Sequence, residues 1–130
     1  MIVLLAAAFV SGGCAQLVKQ SHTEDADPER MIAAIGGRSI VLLGEVHDNA
    51  AQHAMREQAL RRWLENGARP ILLMEQFDRE RQDELDRALD QPGASADAVI
   101  AAAGAAATRP GQGWHWPFYR PYVALAIEYR

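Results

Sequence analysis

Glu45 and His47 stand two residues apart in the run Leu43-Gly44-Glu45-Val46-His47, directly after the apolar stretch Ser39-Ile40-Val41-Leu42-Leu43. A carboxylate and an imidazole can bind a metal or move a proton. On an extended backbone, side chains two apart point to the same side. A strand ending here therefore aims both groups at one place. A second apolar run, Ile71-Leu72-Leu73-Met74, also ends at a carboxylate, Glu75, and His53 follows shortly after the helix-start signal Asp48-Asn49. Parallel neighbouring strands would gather Glu45, His47, Glu75 and His53 at one sheet edge, where ligands of open α/β sheets bind. The helix N-terminus beside them offers unpaired N–H groups to an anion.

A second group of chemically versatile residues lies near the C-terminal end. Gly111-Gln112-Gly113 leads into Trp114-His115-Trp116-Pro117-Phe118-Tyr119, the densest aromatic stretch of the chain. One reading plugs the core with these rings. The other builds a flat-ligand pocket in which the Tyr119 hydroxyl or the His115 imidazole reaches a metal.

The elements that must position these groups follow from local signals. Pro28 with Asp27 as N-cap opens a helix carrying Met31, Ile32 and Ile35, which Gly36-Gly37 ends. The continuous apolar run Ser39–Leu43 predicts a strand covered on both faces. Ala50–Glu65 is the clearest helix. Met55, Ala59, Leu60, Trp63 and Leu64 form its apolar face, and Arg56, Glu57, Arg61 and Arg62 its polar one. Asn49 and Gln52 resemble a capping box, and Asn66-Gly67 closes the helix. With Ile71–Met74 as the next strand, strand–helix–strand makes a right-handed βαβ unit the default. Asp78–Asp90 predicts a solvated helix held by Leu85, Ala88 and Leu89; Gln91-Pro92-Gly93 breaks it, and Ser95 caps a short Ala-rich helix. A last helix is expected from about Pro121. Its periodicity is unfinished at Arg130, and two strands are few for a parallel sheet. The fold class expected is therefore α/β, a βαβ-based mostly parallel sheet with flanking helices, cut short at its C-terminus.

The chain has 130 residues, 49% hydrophobic and 23% charged, with a net charge of −4. That describes one small globular domain, without the basic surface that nucleic acid requires. Cys14 is the only cysteine, so no intrachain disulfide forms. It follows the apolar run Met1–Val10, too short to span a bilayer, and the small residues Ser11-Gly12-Gly13. This start resembles the lipobox of bacterial lipoproteins, which implies cleavage before Cys14 and lipidation on it. Ala15 fits the sorting rule for the outer membrane. The expected layout is a signal segment at 1–13, a lipid-anchored polar tether at 14–29 holding a solvated His22, and the domain at 30–130.

Gly44-Glu45-Val46-His47-Asp48-Asn49, then His53, then Glu75 after an apolar run, then a Trp/His/Tyr-Arg-Pro segment resemble the ChaN-like haem-binding lipoproteins of the Tiki and erythromycin-esterase-like superfamily. The resemblance covers roughly Ile32 to Arg130, the N-terminal part of such a domain. It implies a role in haem or iron uptake at a bacterial outer membrane and a homodimer holding haem between subunits, with tyrosine as iron ligand. Carried over by motif, Glu45, His47, His53 and Glu75 fall on the superfamily cleft. Tyr119 and Tyr122 are the candidates for the tyrosine, and His115 joins the cofactor-binding set through the aromatic segment. Arg109 or Arg120 would meet the propionates. Ferric haem needs such a hard oxygen or imidazole donor and apolar walls.

The alternative is a metal-dependent hydrolase of the Tiki type. His47, His53 and a glutamate would then hold a divalent metal such as zinc, with Glu45 or Glu75 activating water. His47 and His53 lack the H-x3-H spacing that places two ligands on one helix face. The balance favours a binding protein over an enzyme. Two plainer readings stand beside these: a non-functional remnant, or a Glu45 that only caps backbone and histidines that are only structural.

Overall fold

The computed structural model describes residues 27–104 and 113–130, and Cys14, His22 and Arg109 lie outside them. Five helices and one 3-10 turn are the regular elements of that part: α1 Pro28–Ile35, α2 Ala50–Glu65, the 3-10 turn Arg79–Arg81, α3 Gln82–Leu89, α4 Ala96–Ala102 and α5 Trp116–Glu128.

The caps that local chemistry predicts are formed. Asp27 Oδ1 accepts from the Glu29 N–H at 3.0 Å, Asn49 Oδ1 from the Gln52 N–H at 3.0 Å, and Ser95 Oγ from the Ala98 N–H at 3.2 Å. Each satisfies a donor that the first helical turn leaves orphaned. The Gln52 side chain does not return to Asn49 as a capping box would. It accepts from the Val46 N–H at 3.0 Å and so ties the loop before α2 to its first turn. Gly67 closes α2 at φ +91°, a conformation that only glycine adopts at little cost.

α5 begins at Trp116, not at Pro121. Pro117 sits in the first turn, where its missing N–H costs nothing. Pro121 removes a single hydrogen bond, the one to the first-turn carbonyl of Pro117.

α5 is the hub. It packs on α2 and α4, while α1 packs on α2 and α3 on α4. Two apolar clusters result. Leu85, Ala96, Val99, Ile100 and Val123 join α3, α4 and α5. Leu60, Leu64, Tyr122 and Leu125 join α2 to α5. Exposed ion pairs rim these contacts: Glu29–Arg62 between α1 and α2, Arg61–Glu128 between α2 and α5, and a two-pronged Arg120–Asp97 pair between α5 and α4. Exposed to solvent and salt, such pairs add little to stability.

The expected parallel α/β sheet is not formed. The described residues contain no strand, and the protein is all helical there. The runs taken for strands lie unpaired, with Ile40 82%, Leu42 92%, Ile71 89% and Leu73 89% exposed. Continuous apolar character predicts a strand only where a neighbour covers it. Here α2 spends its buried face on α1, α5 and a polar cluster. The carbonyls of Leu43 and Gly44 accept from the Arg56 guanidinium instead of a strand, and those of Leu64 and Ala68 accept from Arg69. Met74 alone from the second run packs into both apolar clusters.

A consequence is measurable. Leu42→Asp and Leu73→Asp should each change stability by no more than about 0.5 kcal/mol in urea unfolding, because neither side chain leaves water on folding. A loss of several kcal/mol in either variant would restore a buried strand.

Candidate functional site

The loop between α1 and α2 carries Glu45 and His47, and two residues of the first turns of α2 hold it. Arg56, 6% exposed, donates to Leu43 O at 3.4 Å, Gly44 O at 3.1 Å and Glu45 Oε2 at 2.7 Å. His53, 3% exposed and one turn earlier, meets the His47 carbonyl through Nε2 at 3.2 Å. A carbonyl only accepts, so Nε2 carries the proton. Nδ1 is buried and finds no partner among the described residues. The His53 ring stacks on Phe118, centroids 4.5 Å apart at 15°, and meets Tyr119 edge-on at 5.2 Å.

Glu45 is the centre of the cluster. Tyr119 donates its O–H to Oε1 at 2.5 Å, His47 approaches the same oxygen through Nδ1 at 2.6 Å, and Arg56 takes Oε2. Burial pushes the Glu45 carboxyl up, but hydrogen bonds from Tyr119, His47 and Arg56, with the Arg56 charge, outweigh it and hold the group at about 2. Glu45 is therefore an anion that only accepts, which assigns the Nδ1 proton to His47. Tyr119 moves the other way. Burial and the adjoining Glu45 carboxylate raise its hydroxyl well above the usual phenol range, so it is a neutral donor.

Glu45, His47 and Glu75 also form a potential metal-binding trio, with one ligand atom from each lying within 4.8 Å of the others. Beside it opens a cleft of about 680 Å³, lined by His47, Asp48, Gly113, Trp114, His115, Phe118 and Tyr119. Trp114 stands edge-on to His47 at 5.1 Å and to Tyr119 at 5.6 Å, and His115 contacts Phe118 at 4.5 Å. The volume lies in the range of small-molecule and cofactor pockets, and the aromatic walls suit a flat ligand.

The structure thus brings His47, His115 and Tyr119 onto one cleft, with Glu45 and Glu75 grouped with His47 beside it. His53 lies beneath them, its Nε2 occupied by backbone. Tyr122 is in the core, 8% exposed, with its hydroxyl on the His53 carbonyl at 3.0 Å. Arg120 is held by Asp97 and is not among the cleft-lining residues. Sequence reasoning missed Arg56 by assigning it to the solvated face of α2. The available signal was position: it lies one turn after His53 and one turn before Ala59 and Leu60, on the same stripe.

The described residues form a small helical domain that holds a carboxylate–imidazole–phenol cluster at the edge of an aromatic cleft. Residues 31–130 match the family described as haem-binding uptake, Tiki superfamily, ChaN, and the chain belongs to that family. No curated protein and no solved structure matches the chain.

Proposed function

We propose that this protein binds haem for uptake in the aromatic cleft beside Glu45. The observation that carries the reading is the cleft itself. Trp114 and Phe118 supply apolar walls, and His47, His115 and Tyr119 place nitrogen and oxygen donors on the same lining. Family membership supports the same ligand. Bound haem would supply an iron centre to be coordinated and carried. Trp114 and Phe118 would hold the macrocycle and keep water from it, and His47, His115 or Tyr119 would supply the donor to its iron. The placement fitting this role is the bacterial outer membrane, through a lipid at Cys14 and with a second copy of the chain as partner. The apolar start before Cys14 supports the anchor, and fatty-acid labelling of the expressed protein tests it.

Titration of the full chain with haemin should give a saturable shift of the Soret band. Trp114→Ala should weaken binding by about tenfold, since one lost aromatic wall is worth roughly 1.4 kcal/mol. The absence of a saturable shift would refute the reading.

The Glu45–His47–Glu75 trio favours a second reading, a divalent metal site serving hydrolysis. The cation already present argues against it. The Arg56 guanidinium sits 2.7 Å from the Glu45 carboxylate and would repel a dication there. Stoichiometric zinc binding with hydrolysis abolished in Glu75→Gln would establish that reading instead.

A further inference from the structure

We infer that Asp48 is a specificity-determining residue of the cleft: it turns the propionate edge of the macrocycle out to solvent, so that the apolar ring enters and the carboxylates do not. The inference rests on the haem-binding reading above and names how the ligand sits in that site. Three observations carry it. Asp48 is exposed and lines the cleft together with Trp114, Phe118 and Tyr119. Its carboxylate has no hydrogen bond and no ion pair among the described residues. No Lys or Arg lines the cleft among those residues, while Glu45 and Glu75 stand with His47 beside it. The Arg56 guanidinium that meets this group is committed to Glu45 at 2.7 Å and to the carbonyls of Leu43 and Gly44.

The chemistry of the ligand divides against this lining. Ferric haem joins a flat apolar ring with a net positive centre to an edge that carries anionic propionates. A propionate brought against an unpaired carboxylate is repelled, and it gives up its hydration with no cation in exchange. The ferric centre is drawn to the same negative field. The ring gains from contact with Trp114 and Phe118, which asks nothing of the propionates. The favoured insertion therefore buries the ring and leaves the propionates in water. An arginine fork on the lining would reverse this, because it binds carboxylates through paired N–H donors. Arg120, next to Tyr119 in the chain, gives both prongs of its fork to Asp97 instead, at 2.6 and 2.9 Å.

The test compares haemin with its dimethyl ester, whose propionates carry no charge. Both are titrated into the full chain in one detergent buffer at about pH 8, where an ordinary imidazole is neutral. The wild type should bind the diester at least as tightly as haemin, and added salt should tighten haemin but not the diester. Asp48→Asn should tighten haemin about threefold, the scale of one screened surface charge, and should not tighten the diester. Circular dichroism should be unchanged in that variant, since the carboxylate it removes is exposed and unpaired. A wild type that binds haemin more tightly than the diester would overturn the inference while leaving haem binding in place. So would an Asp48→Asn variant with an unchanged preference between the two. Weakened haemin binding with the diester spared, in Arg109→Gln or His115→Ala, would reveal a propionate partner on the cleft and overturn it as well. The absence of a saturable Soret shift with either porphyrin would instead overturn the haem-binding reading, and this inference with it.

Discussion

Glu45→Ala should destabilise the protein by about 3–5 kcal/mol, enough to unfold a large fraction of a domain this small. The side chains of Glu45 and Arg56 are only 12% and 7% exposed. Removing the carboxylate leaves a buried guanidinium without its anion, and it strands the Tyr119 hydroxyl and the His47 Nδ1–H as well. Arg56→Met should cost a similar amount, by leaving Glu45 with neutral partners alone. The double variant Glu45→Leu/Arg56→Met should be more stable than either single variant, because both desolvated charges are gone. Additive losses in the cycle would show that the pair is not coupled.

The same group sets the pH response. The folded carboxyl lies at about 2, below its ordinary 4.5. A lowered carboxyl contributes stability that is full above 4.5 and is lost as pH falls through about 2. Tyr119 acts at the other end. Its raised hydroxyl contributes stability below 10.0 that is lost as pH climbs through the folded value. Urea midpoints should therefore hold across neutral pH and fall towards both extremes. In Glu45→Ala the acid limb contributed by this group should flatten.

What could be read from the sequence was local. Asp27, Asn49 and Ser95 act within three residues of themselves, so their capping follows from spacing alone, and the helices they start are found where expected. The runs at Ile40 and Ile71 carry no information about whether a partner strand covers them. That is a nonlocal fact, and the structure leaves them uncovered. The site divides along the same line. Glu45 and His47 are neighbours in the chain, and their meeting was foreseeable. Tyr119 reaches Glu45 across 74 residues, through the packing of α5 on α2. Arg56 shows how residue type can mislead. An arginine on an amphipathic helix is usually solvated, but this one lies on the stripe shared by His53, Ala59 and Leu60, and a carboxylate waits opposite.

Because the α2–α5 contact assembles the site, Leu125→Ala should damage both stability and ligand binding. Leu125 is 1% exposed and packs in one cluster with Leu60, Leu64 and Tyr122. Truncating a leucine that is fully buried costs about 2–5 kcal/mol, from the lost apolar contacts and from the cavity left behind. The cavity would lie between the helix that carries Tyr119 and the helix that carries His53 and Arg56. α5 can then relax towards α2, and the 2.5 Å Tyr119–Glu45 contact and the Phe118 stack on His53 are the first to lose register. Thermal unfolding should report the stability loss. Haemin titration at a temperature where circular dichroism shows the helices intact should report a weaker complex. Ala124→Gly on the neighbouring position of α5 is the control. It should cost about 1 kcal/mol through helix propensity, as glycine does in a helix interior, and leave the titration unchanged. Full haem affinity in folded Leu125→Ala would show that the cleft is held by the Glu45 cluster alone and not by the apolar contact beneath it.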